Sequence, residues 1–153
     1  MPLADAMSFA NPDDAALATL LREARVFAVV GASPKPARPS YGVMRALIGE
    51  GYRVVPVNPG QAGGEILGQR VYANLAELPG PVDVVDIFRA SESALDVVRE
   101  AIVGKDRLGI KAVWMQLGVV NEDAARLAAE AGLVVVMDRC PKIELARLGL
   151  TRR

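Results

Sequence analysis

There is no histidine in this chain of 153 residues. That absence removes imidazole general acid–base work, phosphohistidine chemistry, Ser-His-Asp triads and imidazole metal ligation. There is one cysteine, Cys140, so no internal disulfide can form, which fits a reducing compartment, the cytosol. Aromatic residues are scarce, at 5%, so the core must be built from Val, Leu, Ile and Ala. Eighteen basic residues balance eighteen acidic ones, which gives no support for binding nucleic acid or a membrane surface through bulk charge. No apolar stretch is long enough to cross a bilayer, and the opening MPLADAMSFANPDD has neither the basic nor the apolar region of a signal peptide. No cluster has metal-ligand spacing, so no metal site is expected.

What is present is apolar: 52% of the chain, enough for one domain with a sizeable core. We expect that domain to span residues 1–153, with 1–10 as a loose arm and 151–153 as a tail. Five apolar runs read as buried strands: Val26 to Val30, Arg53 to Val57, Val82 to Phe88, Lys111 to Leu117 and Leu133 to Met137. Helices are predicted between them. Asn11 is expected to cap the first, Ser40 a second near Tyr41 to Glu50, Ser91 a third reaching Val103, and Asn121 a fourth ending at Gly132. A last helix covers Lys142 to Leu148. Gln61 to Asn74 is expected to wander as loop, with a short extended piece at Arg70 to Ala73. Alternating strands and helices with short connections predict an α/β fold. Its core would be a doubly wound, mainly parallel Rossmann-like sheet of about five strands in three α/β/α layers. Ligands of such sheets sit at the carboxyl ends of the strands, near the point where strand order reverses.

VVGASPKPARPSYGV, Val29 to Val43, joins the first strand to the second helix. Gly31 permits a tight turn, and a helix starting near Ser40 aims unpaired N–H groups and a partial positive charge back at the loop. Gly42 lets that helix pack close to the sheet or to a ligand. Lys35 and Arg38 add full positive charge, and three prolines stiffen the loop so that less entropy is lost on binding. The loop is a candidate phosphate site. It is not a nicotinamide fingerprint: Ser33 and Pro36 stand where the second and third glycines belong, and the second strand ends in Val57-Asn58-Pro59 rather than in a ribose-binding acid.

Other candidates lie at the same strand ends. Arg89 could hold phosphate, stack on a base beside Phe88, or pair with Glu92. Asn58 could bond a ligand or shape the turn before Pro59. Cys140 sits near a helix N-terminus, where a thiol pKa can be depressed, but no histidine can serve as its base; it is either reactive or an inert half-buried side chain. Asp138 and Glu144 form a carboxylate pair, or Asp138 pairs with an arginine or caps the last helix. Trp114 and Met115 are expected in the core, and Glu122, Asp123 and Glu130 on a solvated helix face.

These residues carry a resemblance. VVGASPKPARPSYGV, YRVVPVNP, GGEILG, VDVVDIFR, AVWMQLGVV and VVVMDRCPKIE together resemble the small single-domain CoA-binding proteins, whose fold is similar to the CoA-binding domain of the succinyl-CoA synthetase alpha subunit. The motifs cover roughly Val26 to Leu148. The resemblance implies that Gly31, Ala32 and Ser33 meet the CoA pyrophosphate and that Arg38, Ser40, Tyr41 and Gly42 complete the cradle. It implies that Val57, Asn58 and Pro59 line the nucleotide and that Phe88 and Arg89 border the adenine or its phosphates. The pantetheine arm would run toward Gln116 and the Asp138-Arg139-Cys140 turn. An acid at the second strand end would repel the 3′-phosphate, which accounts for its absence.

The synthetase works through a phosphohistidine on a second domain, and this chain has no histidine. The resemblance therefore implies CoA binding without ligase activity, and no catalytic residue is expected. The rival readings are an acyl- or thiol-transfer enzyme using Cys140, a redox protein forming a Cys140–CoA disulfide, and, less well supported, an NAD(P) oxidoreductase. The expected partner is CoA or an acyl-CoA, and a homodimer is compatible with the sequence without being required by it.

Overall fold

A computed structural model describes residues 9–152. Most of the expected N-terminal arm, and with it most of the segment read as lacking a signal peptide, lies outside the described residues. Helix α1 (Asp14–Glu23) leads into strand β1 (Val26–Val30), helix α2 (Pro39–Gly49) and strand β2 (Arg53–Val57). A small hairpin follows, β3 (Glu65–Ile66) against β4 (Gln69–Arg70), and then β5 (Val84–Ile87). The second half runs α3 (Ala94–Val103), α4 (Lys105–Leu108), β6 (Ala112–Met115), α5 (Glu122–Glu130), β7 (Val134–Val136) and α6 (Pro141–Arg147).

The main sheet has the order β2-β1-β5-β6-β7, and every pair is parallel. Side chains alternate across it with period two. Val26, Ala28, Val30, Val85, Ile87, Val113, Met115 and Val135 face one layer, made by α3, α4 and α5. Phe27, Val29, Val84, Ala112, Trp114 and Val136 face the other, made by α1, α2 and α6. Central strands covered on both faces must be apolar throughout, and β1, β5 and β6 are buried at every residue. The expected three-layer α/β architecture is the observed one.

Three expected caps are used otherwise. Asp13, not Asn11, caps α1 by accepting the Ala16 N–H at 2.8 Å. Asn11 exchanges two hydrogen bonds with the backbone of Met137, 2.9 and 2.7 Å, because its amide matches the free N–H and C=O at the end of edge strand β7. Helix α2 begins at Pro39, since the ring fixes a helical φ and forces the preceding Arg38 into extended backbone. Ser40 then lies inside the first turn. The hydroxyl of Ser91 accepts the Val120 N–H at 2.9 Å and donates to the Gly118 carbonyl, so it ties two loops together and leaves α3 to start after a 3₁₀ turn. Asn121 caps α5 as expected, accepting the Ala124 N–H at 2.9 Å.

The stretch expected to be mostly loop holds the β3–β4 hairpin and then returns along β2. Tyr72 donates its N–H to the Pro56 carbonyl at 3.1 Å and accepts the Asn58 N–H at 2.9 Å, making a parallel bridge with Val57.

Candidate ligand site

Strand β1 leads toward β2 through α2 on one face, while β5 leads toward β6 through α3 on the other. The chain therefore diverges at the carboxyl ends of β1 and β5, where an open α/β sheet leaves a crevice. Gly31 and Phe88 stand there side by side. Phe88 donates its N–H to the Val30 carbonyl at 2.8 Å. Gly31 holds φ +91°, and a Cβ on it would overlap the Phe88 carbonyl oxygen. The glycine is needed so that two strand ends can meet.

The loop after β1 is organised by its own hydrogen bonds. Gly31 and Ala32 both direct their N–H groups to the Val57 carbonyl, at 2.9 and 3.4 Å. The Ser33 N–H donates to the Ser40 hydroxyl at 3.0 Å, and the Ser33 hydroxyl accepts the Lys35 N–H at 3.1 Å. Asn58 donates its side-chain N–H to the Ala32 carbonyl at 2.7 Å and accepts the Gly60 N–H at 2.9 Å. The backbone donors of residues 31–33 are thus engaged inside the protein, and Ser40 and Asn58 act as braces of the loop. Arg38, at the N-cap of α2, makes no side-chain capping bond, so the positive end of that helix opens toward the loop without a side chain closing it.

This loop forms one wall of a cavity of about 840 Å³. Ten of the expected site residues line it: Gly31, Ser33, Lys35, Arg38, Ser40, Asn58, Phe88, Arg89, Gln116 and Cys140. Four cations are among the lining residues, Lys35, Arg38, Arg89 and Lys142, and no carboxylate is, among the described residues. On a chain of zero net charge that segregation favours a polyanion. Two buried polar atoms lack a protein partner there, the Gln116 carbonyl oxygen and Arg89 Nε. Gln116 is 5% exposed, so its orphaned acceptor is costly until something donates to it.

The remaining expected residues lie elsewhere. Val57 and Pro59 border a smaller cavity of about 340 Å³ on the α3 side, which shares Arg89 with the first and carries Asp96 and Glu100. Ala32 is fully buried beneath the loop. Tyr41 packs against the α1/α2/α6 core. A Cβ at Gly42 would meet nothing within 4 Å, so this glycine is not required for packing the helix onto the sheet. Sequence reasoning missed Gln61, Val119, Lys142 and Ile143. For the last two a signal existed: they open a helix that starts at the carboxyl end of β7, the same side as the site.

Cys140 is 4% exposed and forms part of the cavity wall at the N-cap of α6. Asp138 neither caps α6 nor reaches Glu144. It adopts φ +59°, and its carboxylate accepts the Gly118 N–H at 2.8 Å, joining the β6 and β7 loops. Glu144 is buried and bound by Arg139 at 3.0 Å and Arg147 at 2.7 Å; Arg147 reaches on to Asp14 of α1 at 2.9 Å. That hydrogen bond from Arg147 holds the Asp14 carboxyl below its usual range. Beneath the site, Asp86 faces the α1/α2/α6 layer between Val29 and Trp114, fully buried, with no partner for either oxygen, and burial raises its carboxyl well above the usual range. Trp114 and Met115 are fully buried, and Glu122, Asp123 and Glu130 are exposed, as expected. Among the described residues no group of side chains could hold a metal ion, and no helix is long and apolar enough to cross a membrane.

Residues 25–146 match a family model described as a CoA binding domain. The uncharacterized protein YneT of Bacillus subtilis is 37% identical over 133 residues, covering 87% of this chain and 94% of that protein. Among solved structures, one from Thermus thermophilus is 38% identical with a TM-score of 0.83, covering 90% of this chain and 99% of that one. A hypothetical protein from Pyrococcus horikoshii is 36% identical with a TM-score of 0.82, covering 93% and 99%.

Proposed function

The chain belongs to the CoA-binding domain family, and on that premise we propose that it is a cytosolic binding module that holds coenzyme A in the larger cavity. The observation that carries this reading is the segregation of Lys35, Arg38, Arg89 and Lys142 around a cavity wall that has no carboxylate among the described residues. Coenzyme A carries a pyrophosphate and a 3′-phosphate, and such a ligand is held by cations and by a helix N-terminus. The phosphates lie toward Lys35, Arg38 and the first turn of α2. Because the donors of residues 31–33 are engaged internally, these side chains and the helix end carry more of the phosphate binding than the loop backbone does.

The pantetheine arm continues past Gln116. Its amide N–H groups are donors of the kind the orphaned Gln116 oxygen needs. The arm ends near Cys140. Among the described residues the lining carries no histidine or carboxylate to act as a general base beside Cys140, which favours binding without turnover. Asn58, where a nicotinamide-dinucleotide site would place an acid, has its amide committed to Ala32 and Gly60. That disfavours NAD.

Calorimetric titration with CoA, acetyl-CoA, NAD and NADP, with dithiothreitol present, tests the proposal. Binding of CoA in the micromolar range or tighter, with NAD silent, is expected. Silence toward CoA overturns it. Because Cys140 lies in the cavity wall, a second reading is exchange of its thiol with a CoA disulfide, releasing CoA thiol and leaving a mixed disulfide. A mass increment of one CoA that vanishes with reductant, and is missing in Cys140→Ser, would favour it.

A further inference from the structure

The cavity is graded along its length. The strand order β2-β1-β5-β6-β7 places Asn58, Lys35 and Arg38 over β2 and β1, and Leu117 and Cys140 at the ends of β6 and β7, while Ile143 lies in the first turn of α6, which turns back and packs against α2. With parallel strands spaced about 4.8 Å apart, the ends of β1 and β6 are roughly 10 Å apart and those of β2 and β7 roughly 20 Å. The first end is charged. The second carries Lys142 but is otherwise apolar and open: Leu117 is 53% exposed and Ile143 49%. Large exposed hydrophobic side chains are few among the described residues, and these two line the same cavity, with Val120, also exposed, in the loop that Leu117 begins.

Between the two ends stands Gln116, buried, with its carbonyl oxygen unpartnered. Free CoA would end in a small thiol at about this depth and leave the aliphatic side chains of Leu117 and Ile143 in water. We infer that the β6–β7 end of the cavity is an acyl subsite, and that the ligand held best is a CoA thioester carrying a short or medium aliphatic chain. The inference rests on the CoA reading and deepens it by naming the substrate class. A ligand charged at one end and aliphatic at the other matches a cavity with cations over β1 and uncovered branched side chains at the end of β6 and the start of α6. An unbranched chain laid against Leu117 and Ile143 removes both from water. Among the described residues Lys142 and Gln116 are the polar side chains of the lining beside Leu117 and Ile143, so a charged acyl group gains at most a pairing with Lys142 and leaves both aliphatic side chains in water.

The test is calorimetric titration of the whole protein with free CoA and with its acetyl, butanoyl, hexanoyl, octanoyl and succinyl thioesters, each under dithiothreitol. The same series is run on the double variant Leu117→Ser, Ile143→Ser. Affinity is expected to rise about two- to fourfold per added methylene, the range for partial to full burial of a CH₂ group. The succinyl thioester should fall below the butanoyl thioester. In the double variant the dependence on chain length should flatten; the slope is read within each protein, whatever its affinity for free CoA.

A flat series in the unmodified protein, with CoA still bound, overturns the acyl subsite and leaves the CoA reading standing. A steep series that survives in the double variant also overturns it, because the chain then lies elsewhere. Conversion of a dimer to a monomer by the double substitution, seen by sedimentation and accompanied by a flat series in the unmodified protein, would assign this apolar face to a second copy of the chain. Failure of CoA and of every thioester to bind removes the CoA reading itself and the subsite with it.

Discussion

The hydroxyl of Ser40, in the first turn of α2, accepts the backbone N–H of Ser33, 3.0 Å away across the loop. A residue whose type suggests a helix cap thereby fixes the bend of the loop after β1. Ser40 is buried at 3% exposure, so Ser40→Ala leaves the Ser33 donor without its partner. We expect a loss of about 1–2 kcal/mol in stability and weaker CoA binding. Ser40→Thr, which keeps the hydroxyl, should restore much of both. Urea unfolding and calorimetry on the two variants check this, and equal behaviour of Ala and Thr would show that the hydroxyl does not brace the loop.

Arg38 sits at the uncapped start of α2 and in the cavity wall. Arg38→Ala should weaken CoA by about 10- to 100-fold, the scale of one charge-assisted contact. If Arg38 meets the 3′-phosphate, dephospho-CoA should be affected far less. Equal weakening places it at the pyrophosphate, and no weakening of either removes it from the site.

Gly42 is a helix-interior glycine with open space where a Cβ would stand. Gly42→Ala should therefore stabilise the protein by about 0.5–1 kcal/mol through helix propensity alone. CoA affinity should stay unchanged, since the cavity does not reach this position. A higher melting temperature combined with lost affinity would instead show that the ligand runs over α2 at Gly42.

Asp86 gives a pH dependence whose sign can be worked out. The unfolded side chain titrates near 3.9, while burial holds the folded carboxyl well above that value. Between the two pKa values the folded chain binds one proton more than the unfolded chain, so this group makes stability fall as pH rises. Asp86→Val removes the group and adds a β-branched side chain between Val29 and Trp114. The variant should be more stable than the parent, with an advantage that grows as pH rises above about 4. Denaturant melts at a series of pH values upward from about 4 are the measurement, and an advantage constant with pH would sink the account.

The sheet was legible because its central strands are covered on both faces, which forces unbroken apolar runs such as Val26 to Val30. The hairpin at Glu65–Ile66 and Gln69–Arg70 was not, since two residues per strand among glycines carry no period. Asn11, Ser40 and Ser91 misled for one shared reason. Their side chains can satisfy a local helix end or a distant backbone group, and the distant group won: Met137, Ser33 and the Gly118–Val120 loop. The half of the cavity wall formed by residues around Gly31 to Ser40 was readable, because a glycine, cations and a helix start lie next to one another in sequence. The far half was not. Lys142 and Ile143 reach the cavity only because β7 lies three strands from β1 and α6 turns back over the strand ends.

The return of Tyr72 along β2 has a consequence for life in a crowded solution. An edge strand with free N–H and C=O groups is a template for another chain's strand. Here the Pro56 carbonyl and the Asn58 N–H are already taken by Tyr72, and Pro56 itself has no N–H to offer. At the opposite margin β7 is only three residues long, and Asn11 occupies the Met137 backbone just beyond it. One margin of the Val-rich sheet is thus covered by the backbone of a segment running parallel to β2 and the other by a single side chain, so that Tyr72 and Asn11 guard the sheet edges rather than the cavity.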